Sequence, residues 1–168
     1  METNFKQLLK NITTFIFDVD GVLTDGAVIL LPNGEQIVKT NIRDGYALQL
    51  AVKRGYKVCI ISGKSSDALK FRLKELGIQD VYLGVADKVD QYEDFLFSNH
   101  LTKEEIIYMG DDIPDFEVMQ KVGIVTCPKD AADEIKGISI YISNKRGGRG
   151  CVRDIIEQVM KVQGKWVV

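Results

Sequence analysis

The chain has 168 residues, 45% of them hydrophobic, and this suits one domain with a full core, residues 1–168. Lysine and arginine together number 22 against 24 aspartates and glutamates, with both signs spread along the chain, so no basic surface for nucleic acid is expected. No apolar run approaches the roughly 20 residues that a membrane helix needs, so a small-molecule partner is expected instead.

Apolar runs alternate with amphipathic segments along the chain. The predicted strands are residues 14–18, 57–62, 80–83, 106–110, 123–126 and 138–142. The predicted helices are residues 45–54, 65–76, 88–99, 114–121, 131–136 and 152–162. This alternation predicts an α/β fold: a doubly wound, mostly parallel, Rossmann-like sheet in three layers, which binds ligands beyond the carboxyl ends of its strands.

The first predicted strand runs directly into Asp18 and Asp20, which Gly21 follows. Side chains two residues apart start on the same side of a strand, and a glycine permits the sharp turn that lets the two acids diverge. One carboxylate could then attack a reacting centre while the other moves a proton. Taken alone, the motif could equally be a strand cap followed by an acidic turn.

Residues 27–42 interrupt the alternation. Two apolar runs flank Pro32, Asn33 and Gly34, and Asn-Gly between apolar runs is a strong β-hairpin signal. Because an isolated hairpin is only marginally stable, we expect this one to project from the sheet after the first strand and to pack on a neighbouring subunit. Folding back onto its own sheet is the alternative.

Polar groups also follow two later strands. Ser62 and Gly63 end the second strand, where a hydroxyl and backbone N–H groups at a helix start can bind phosphate, although such residues more often cap helices. Lys88 opens a predicted helix, a place where lysine is usually a solvated charge. Three aspartates lie within residues 110–115, at the end of another strand, and helix capping accounts for one of them.

The order Asp-x-Asp-Gly, Ser-Gly, Lys, Gly-Asp-Asp-x-x-Asp resembles the haloacid-dehalogenase-type phosphohydrolase superfamily. The resemblance implies a covalent phosphatase mechanism that uses Mg²⁺, and carboxylates and lysine suit a hard cation and a transferring phosphoryl group. The implied roles are nucleophile for Asp18, general acid and base for Asp20, phosphate binding for Ser62, Gly63 and Lys88, metal binding for Asp18, the Asp20 backbone carbonyl and Asp111, and orientation of waters or Lys88 for Asp112 and Asp115.

The gaps between these motifs leave no room for the cap domain that the superfamily commonly inserts. The segment 145–150, Lys-Arg-Gly-Gly-Arg-Gly, lies before the C-terminal helix and could be a flexible basic loop. With the missing cap and the opening Asp-Gly-Val-Leu-Thr-Asp-Gly at 20–26, however, it closely resembles the 3-deoxy-D-manno-octulosonate 8-phosphate (KDO 8-phosphate) phosphatases. Cys151 and Asp154 are mild departures from the alanine and glutamate that this family usually has there.

That closer resemblance implies a phosphorylated sugar acid as substrate, a role in lipopolysaccharide sugar biosynthesis, and a homotetramer built through the hairpins. The hairpin and the tail, residues 145–150, would contribute to a neighbouring active site, and Arg146 and Arg149 are suited to bidentate capture of a carboxylate or phosphate. A related branch acts on nine-carbon sugar acid 9-phosphates and tends to have an acidic residue where this chain has Lys64. Lys64 and Arg72 therefore favour the eight-carbon acid, unless the lysine is simply solvated.

Two other functional classes remain open. One is a catalytically weak Mg²⁺-binding interaction domain, against which stands the presence of every required polar group. The other is an open-site protein phosphatase, against which stands the lack of a basic or aromatic peptide groove. The polar start of the chain and its odd count of three cysteines favour a cytoplasmic protein with reduced thiols.

Overall fold

The computed structural model describes residues 4–166, which form a six-stranded sheet with helices on both faces and a separate two-stranded hairpin. The strands are β1 (Thr14–Phe17), β2 (Ile29–Leu30), β3 (Gln36–Ile37), β4 (Lys57–Ile61), β5 (Asp80–Tyr82), β6 (Ile106–Met109), β7 (Ile124–Cys127) and β8 (Tyr141–Ile142). The α-helices are α1 (Phe5–Leu8), α2 (Ile42–Lys53), α3 (Asp67–Glu75), α4 (Lys88–Asn99), α5 (Phe116–Met119), α6 (Asp133–Ile138) and α7 (Cys151–Val162). Short 3₁₀ helices cover Leu9–Asn11, Lys103–Glu105 and Ile113–Asp115.

The sheet has the order β5-β4-β1-β6-β7-β8, and every neighbouring pair is parallel. The predicted doubly wound α/β fold is thereby confirmed, and no cap domain is present within residues 4–166. None of the helices in this range is long and apolar enough to cross a membrane.

The central strand β1 divides its side chains between two apolar cores. Phe15 and Phe17 face a core that includes residues of α2, α3 and α7, whereas Ile16 faces a core that includes residues of α4, α5 and α6. Both faces of a parallel strand are buried in this way, which explains why three of the four residues of β1 are large and apolar. The buried strands hold the loops at their carboxyl ends in fixed positions.

The helix starts follow from side-chain caps. Asn41 accepts hydrogen bonds from the backbone N–H groups of Arg43 and Asp44, so α2 begins at Ile42, three residues before the predicted start. Asp87 likewise caps α4, which begins at Lys88 as predicted. At the other end of the chain, β8 is shorter than predicted because α6 extends to Ile138.

The projecting hairpin is present, but its ladder is short. Ile29 pairs with Ile37 and Leu30 with Gln36, and all four side chains are exposed. The exposed fractions of Ile29 and Leu30 are 56% and 72%. The hairpin therefore does not fold back onto the sheet of its own chain, which was the alternative for this segment.

Candidate active site

Three neighbouring strands bring their carboxyl ends together around one cavity of about 930 Å³. Asp18 follows β1, Ser62 follows β4, and Asp111 lies just beyond β6. The backbone N–H of Asp18 still donates to the carbonyl of Met109, at 3.1 Å, so the hydrogen bonding of the sheet continues to the aspartate itself. The position of Asp18 is thus fixed by the β1–β6 pairing.

Lys88 lies between two aspartates in the floor of this cavity. Its Nζ is 3.1 Å from Oδ1 of Asp18 and 2.8 Å from Oδ1 of Asp115, and only 9% of its side chain is exposed. Tyr108 also donates its hydroxyl to Oδ1 of Asp115, at 2.8 Å, and the backbone N–H of Asp111 donates to Oδ2 at 3.1 Å. Since protein donors occupy both of its oxygens, Asp115 holds Lys88 in place beside Asp18.

Asp18, Asp111 and Asp115 form a group of three carboxylates whose oxygens lie within 4.8 Å of one another. Burial and the neighbouring charge of Asp115 raise the pKa of Asp18 well above its usual range. Burial, followed by the charges of Asp115 and Asp112, raises the pKa of Asp111 to about 7. Burial lowers the pKa of Lys88, but the two aspartates beside it outweigh this effect and the net shift is upward.

Crowded carboxylates with raised pKa values are what a divalent cation would relieve, because bound positive charge favours their ionised form. The oxygen donors of Asp18 and Asp111 therefore fit the predicted Mg²⁺, a cation that prefers carboxylate and carbonyl oxygens. The side chain of Asp20 is not part of the carboxylate group, although Asp20 lines the same cavity. The Asp20 carboxyl therefore lies at the same cavity but outside the candidate metal cluster.

The loop after Asp20 is tightly wound. Gly21 has a φ of +78°, and a side chain there would overlap the carboxylate of Asp111. The buried Thr24 hydroxyl accepts from the backbone N–H groups of Gly21, at 3.2 Å, and Gly26, at 3.3 Å. Position 21 therefore requires glycine for two reasons: the backbone reverses there, and the Asp111 carboxylate approaches it closely.

Ser62 is buried at the cavity wall with Gly63 beside it. The backbone N–H of Lys64 donates to the Ser62 hydroxyl oxygen, at 3.2 Å. The following helix begins two residues after its predicted start, at Asp67, because Ser66 caps α3 by accepting from the N–H of Leu69. The hydroxyl and N–H groups thus come from a strand-to-helix loop, without the helix terminus.

The predicted substrate residues divide into two groups. Lys64 lines the cavity of Asp18. Arg72 instead lines a small separate cavity against Gly45 and pairs with Glu75 at 3.7 Å. Arg149 lines a third cavity, and Arg146 is exposed. Within one chain, none of these three arginines lines the cavity of Asp18.

Asp112, Tyr108 and the base of the hairpin complete the surroundings of the cavity. Asp112 is exposed and accepts from the N–H of Ile113 at 2.8 Å, so it caps the short 3₁₀ helix. Tyr108 was missed by the sequence analysis, because a tyrosine in an apolar strand resembles any core aromatic. Its one available signal was a polar atom in a strand that leads to the acidic cluster.

The hairpin also contributes to the cavity, because Val28 and Gln36 line its outer side.

Comparison with known proteins gives a consistent set of relatives, although no family model matches the chain. The KDO 8-phosphate phosphatase KdsC of Salmonella typhi is 34% identical over 165 residues, which is 98% of this chain and 88% of that protein. A putative HAD superfamily (subfamily III A) hydrolase from Legionella pneumophila is 31% identical, with a TM-score of 0.92 over 95% of this chain and 88% of the other. The KDO 8-phosphate phosphatase of Moraxella catarrhalis, solved in complex with magnesium ion, phosphate ion and KDO, is also 31% identical, with a TM-score of 0.92 over 98% and 94% of the two chains.

Proposed function

The chain belongs to the KDO 8-phosphate phosphatase family of the HAD superfamily, and we propose that it hydrolyses KDO 8-phosphate through an aspartyl-phosphate. It is a phosphoric monoester hydrolase, as its relatives are. The observation that carries the mechanistic proposal is the buried Asp18 carboxylate 3.1 Å from Lys88, at the carboxyl edge of the sheet. A nucleophile needs such a fixed carboxylate with a cation beside it.

In the first step, a carboxylate oxygen of Asp18 attacks phosphorus in line with the sugar oxygen that leaves. The bond from phosphorus to Asp18 forms while the ester bond breaks, and the carboxyl of Asp20 gives its proton to the departing alkoxide. In the second step, Asp20 takes a proton from water as the water oxygen attacks phosphorus. The Asp18 carboxylate and inorganic phosphate are then released.

The remaining cavity residues bind and neutralise the phosphoryl group. The Ser62 hydroxyl and the Gly63 backbone N–H would donate to its oxygens, and Lys88 supplies positive charge while Asp115 keeps it in position. Asp18, the Asp20 backbone carbonyl and Asp111 would hold Mg²⁺, which when bound neutralises charge between the nucleophile and the phosphate. In this assignment Asp112 is not a metal ligand and would orient water.

Lys64 supports an eight-carbon sugar acid as the substrate. Lys64 follows Ser62 closely in sequence and lines the same cavity, where its ammonium group could bind the carboxylate of a keto acid. A nine-carbon acid 9-phosphate is the competing substrate. Hydrolysis of KDO 8-phosphate places this reaction after a step that forms the phosphorylated sugar acid, in lipopolysaccharide sugar biosynthesis.

The proposal includes a homotetramer in the cytoplasm. The exposed apolar residues of the hairpin, together with its contribution to the cavity wall, support assembly next to the active site. A neighbouring chain would also explain how Arg72, Arg146 or Arg149 could reach a substrate. All three cysteines of the chain are buried free thiols, in agreement with a reducing compartment.

Phosphate release from a set of phosphorylated sugars and sugar acids, with and without Mg²⁺, tests the proposal. The highest kcat/KM is expected for KDO 8-phosphate. A preference for the nine-carbon 9-phosphate would change the substrate but keep the reaction, and a preference for phosphopeptides would indicate a protein phosphatase. Absence of turnover on every compound would leave the weak Mg²⁺-binding domain as the better description.

A further inference from the structure

The glycine-rich tail of the chain packs on the loop that carries Asp20. The backbone N–H of Gly148 donates to the carbonyl of Val22, at 2.9 Å, and the thiol of Cys151 donates to the same carbonyl at 3.3 Å. Both bonds join residues of one chain, so this contact exists without any neighbouring subunit. The role that the family resemblance implies for the tail, a contribution to a neighbouring active site, does not account for this contact.

Two glycines are required for this contact. A side chain at Gly147 would overlap the carbonyl oxygen of Gly21 and lie 3.0 Å from that of Thr24. Gly148 has a φ of +65°, and a side chain there would lie 2.5 Å from the backbone nitrogen of Asp25. The two backbones therefore touch along the whole turn that follows Asp20.

The tail is fixed from its other side by the loop between β7 and α6. Oδ1 of Asp130 accepts from the N–H of Gly147, at 2.9 Å, and the N–H of Lys129 donates to the carbonyl of Lys145 at 2.9 Å. The same loop reaches the acidic cluster, since the N–H of Ala132 donates to the carbonyl of Asp111 at 2.8 Å. The tail thus lies between the Asp20 loop and the loop behind Asp111.

We infer that Gly147 and Asp130 are positioning residues for Asp20, because the tail that they fix supports the turn after it. The inference rests on the proposed role of Asp20 as the general acid. Asp18 needs no such support, since the sheet hydrogen bond to Met109 fixes it. A displaced tail should therefore impair protonation of the leaving group more than attack on phosphorus.

Two esters of similar size separate these steps. Phenyl phosphate has a poor leaving group that needs protonation, whereas p-nitrophenyl phosphate has a good one that does not. Their kcat/KM values report only the steps up to the phosphoenzyme, so the later hydrolysis does not interfere. The ratio of the two values measures how well Asp20 is positioned.

The variants are Gly147→Ala, Asp130→Ala and Asp130→Asn, with Gly137→Ala as the control. Gly137 lies in α6 with open space around its Cα, so the same substitution disturbs nothing there. For Gly147→Ala we expect kcat/KM on phenyl phosphate to fall roughly 100-fold. On p-nitrophenyl phosphate the change should be under about threefold. Asp130→Ala should shift the ratio in the same direction, and Asp130→Asn, which keeps the acceptor oxygen, should restore it.

An unchanged ratio in Gly147→Ala, whether both values fall equally or neither falls, would overturn the inference. If Gly147→Ala does not fold, the ratio for Asp130→Ala against Asp130→Asn decides in the same way. Asp20→Asn, measured on the same two esters, separates this result from the mechanism. A shifted ratio in Asp20→Asn alone rejects the positioning role and keeps the mechanism, whereas an unshifted ratio there rejects Asp20 as the acid and the positioning role with it.

Discussion

Oδ1 of Asp44 on α2 accepts a hydrogen bond from the backbone N–H of Arg153 on α7, at 2.9 Å and 109 positions along the chain. The residue that precedes α7 is Gly150, which has no side chain to cap the helix. The buried side chain of Asp44, on α2, therefore caps α7 instead, and it connects the first half of the chain to the last helix.

Removing this cap should destabilise the fold. We expect Asp44→Ala to lower the free energy of unfolding by about 1–2 kcal/mol, the cost of losing a helix cap. For a chain of this length, the melting temperature should fall by about 2–8 °C. Asp94→Ala, on the exposed face of α4, should stay within about 0.5 kcal/mol. Denaturant unfolding of both variants checks the prediction, and equal stabilities would contradict it.

Asp18→Asn should abolish turnover and keep the fold. The amide has the size of the carboxylate but cannot attack phosphorus, so kcat should fall far more than tenfold. Because the variant removes a buried charge crowded by Asp115, its melting temperature should be equal or higher in the absence of metal. Steady-state rates and thermal unfolding measure the two effects. If more than about a tenth of kcat remains, a loss of under about 1.4 kcal/mol, Asp18 is not the nucleophile.

Mg²⁺ should stabilise the protein more at pH 8 than at pH 6. The pKa of Asp111 is raised to about 7 in the metal-free protein, so below that pH a proton occupies the carboxyl that the metal needs. Affinity should therefore fall as pH falls through this value, by up to about tenfold per unit for one proton released. The rise in melting temperature with added MgCl₂ measures this dependence.

Asp111→Ala is the matching variant for the metal. It should lose most of the Mg²⁺-induced stabilisation at pH 8 and require more Mg²⁺ for turnover. Excess Ca²⁺ should inhibit the native chain, because its larger, looser coordination shell suits the site less well. Full activity of the native chain after dialysis against EDTA would rule out a metal requirement.

The hairpin prediction concerns the oligomer. Ile29 and Ile37 form a cross-strand pair and are both exposed, so an aspartate at either position should disrupt an apolar subunit interface. We expect Ile29→Asp and Ile37→Asp to shift the mass seen by light scattering toward the monomer. Phe97→Asp is the control, since Phe97 on α4 is 86% exposed and far along the chain from the hairpin. If a variant with both substitutions keeps an unchanged mass, the subunits assemble through another surface.

Arg149→Ala tests the tail in substrate recognition. The side chain is exposed and lies outside the cavity of Asp18 in its own chain, so it can act only on a large substrate or at a neighbouring site. We expect kcat/KM on KDO 8-phosphate to fall while hydrolysis of p-nitrophenyl phosphate stays the same, since the small ester never uses that contact. Equal losses on both would mean that Arg149 supports the fold, and no loss on either would make it a solvated surface residue.

The sheet was predictable because its four inner strands, β4, β1, β6 and β7, are almost wholly buried and are therefore rich in apolar residues. The residues that follow β1 and β6 could be assigned to one edge for the same reason, since parallel strands end together. Asp87 and Lys88 show how a local cap can fix a helix start from sequence alone. The family assignment, which rested on the spacing of these motifs, is confirmed by the relatives.

Contacts between distant segments were not predictable. Asp44 belongs to no motif that the sequence singles out, and its role depends on Arg153, which lies far along the chain. Gly147 is part of a segment that could be a flexible basic loop, and only its contact with Gly21 shows otherwise. Ser66 shows a smaller, local error, since it caps α3 and the helix begins at Asp67, two residues after its predicted start. The contacts of Asp44 and Gly147 depend on packing between distant segments, which the order of residues does not express.

The hydrogen bond from the backbone N–H of Asp18 to Met109 fixes the proposed nucleophile to the buried centre of the sheet, while Asp20 lies two residues later in a loop. With the proposed roles of Asp18 and Asp20, substitutions in that loop or in the tail should change protonation of the leaving group without moving the attacking oxygen. A change in the pairing of β1 with β6 would move Asp18 and the loop with Asp20 together. The fold thus allows the Asp20 loop and the tail to vary in sequence while the position of Asp18 stays constant.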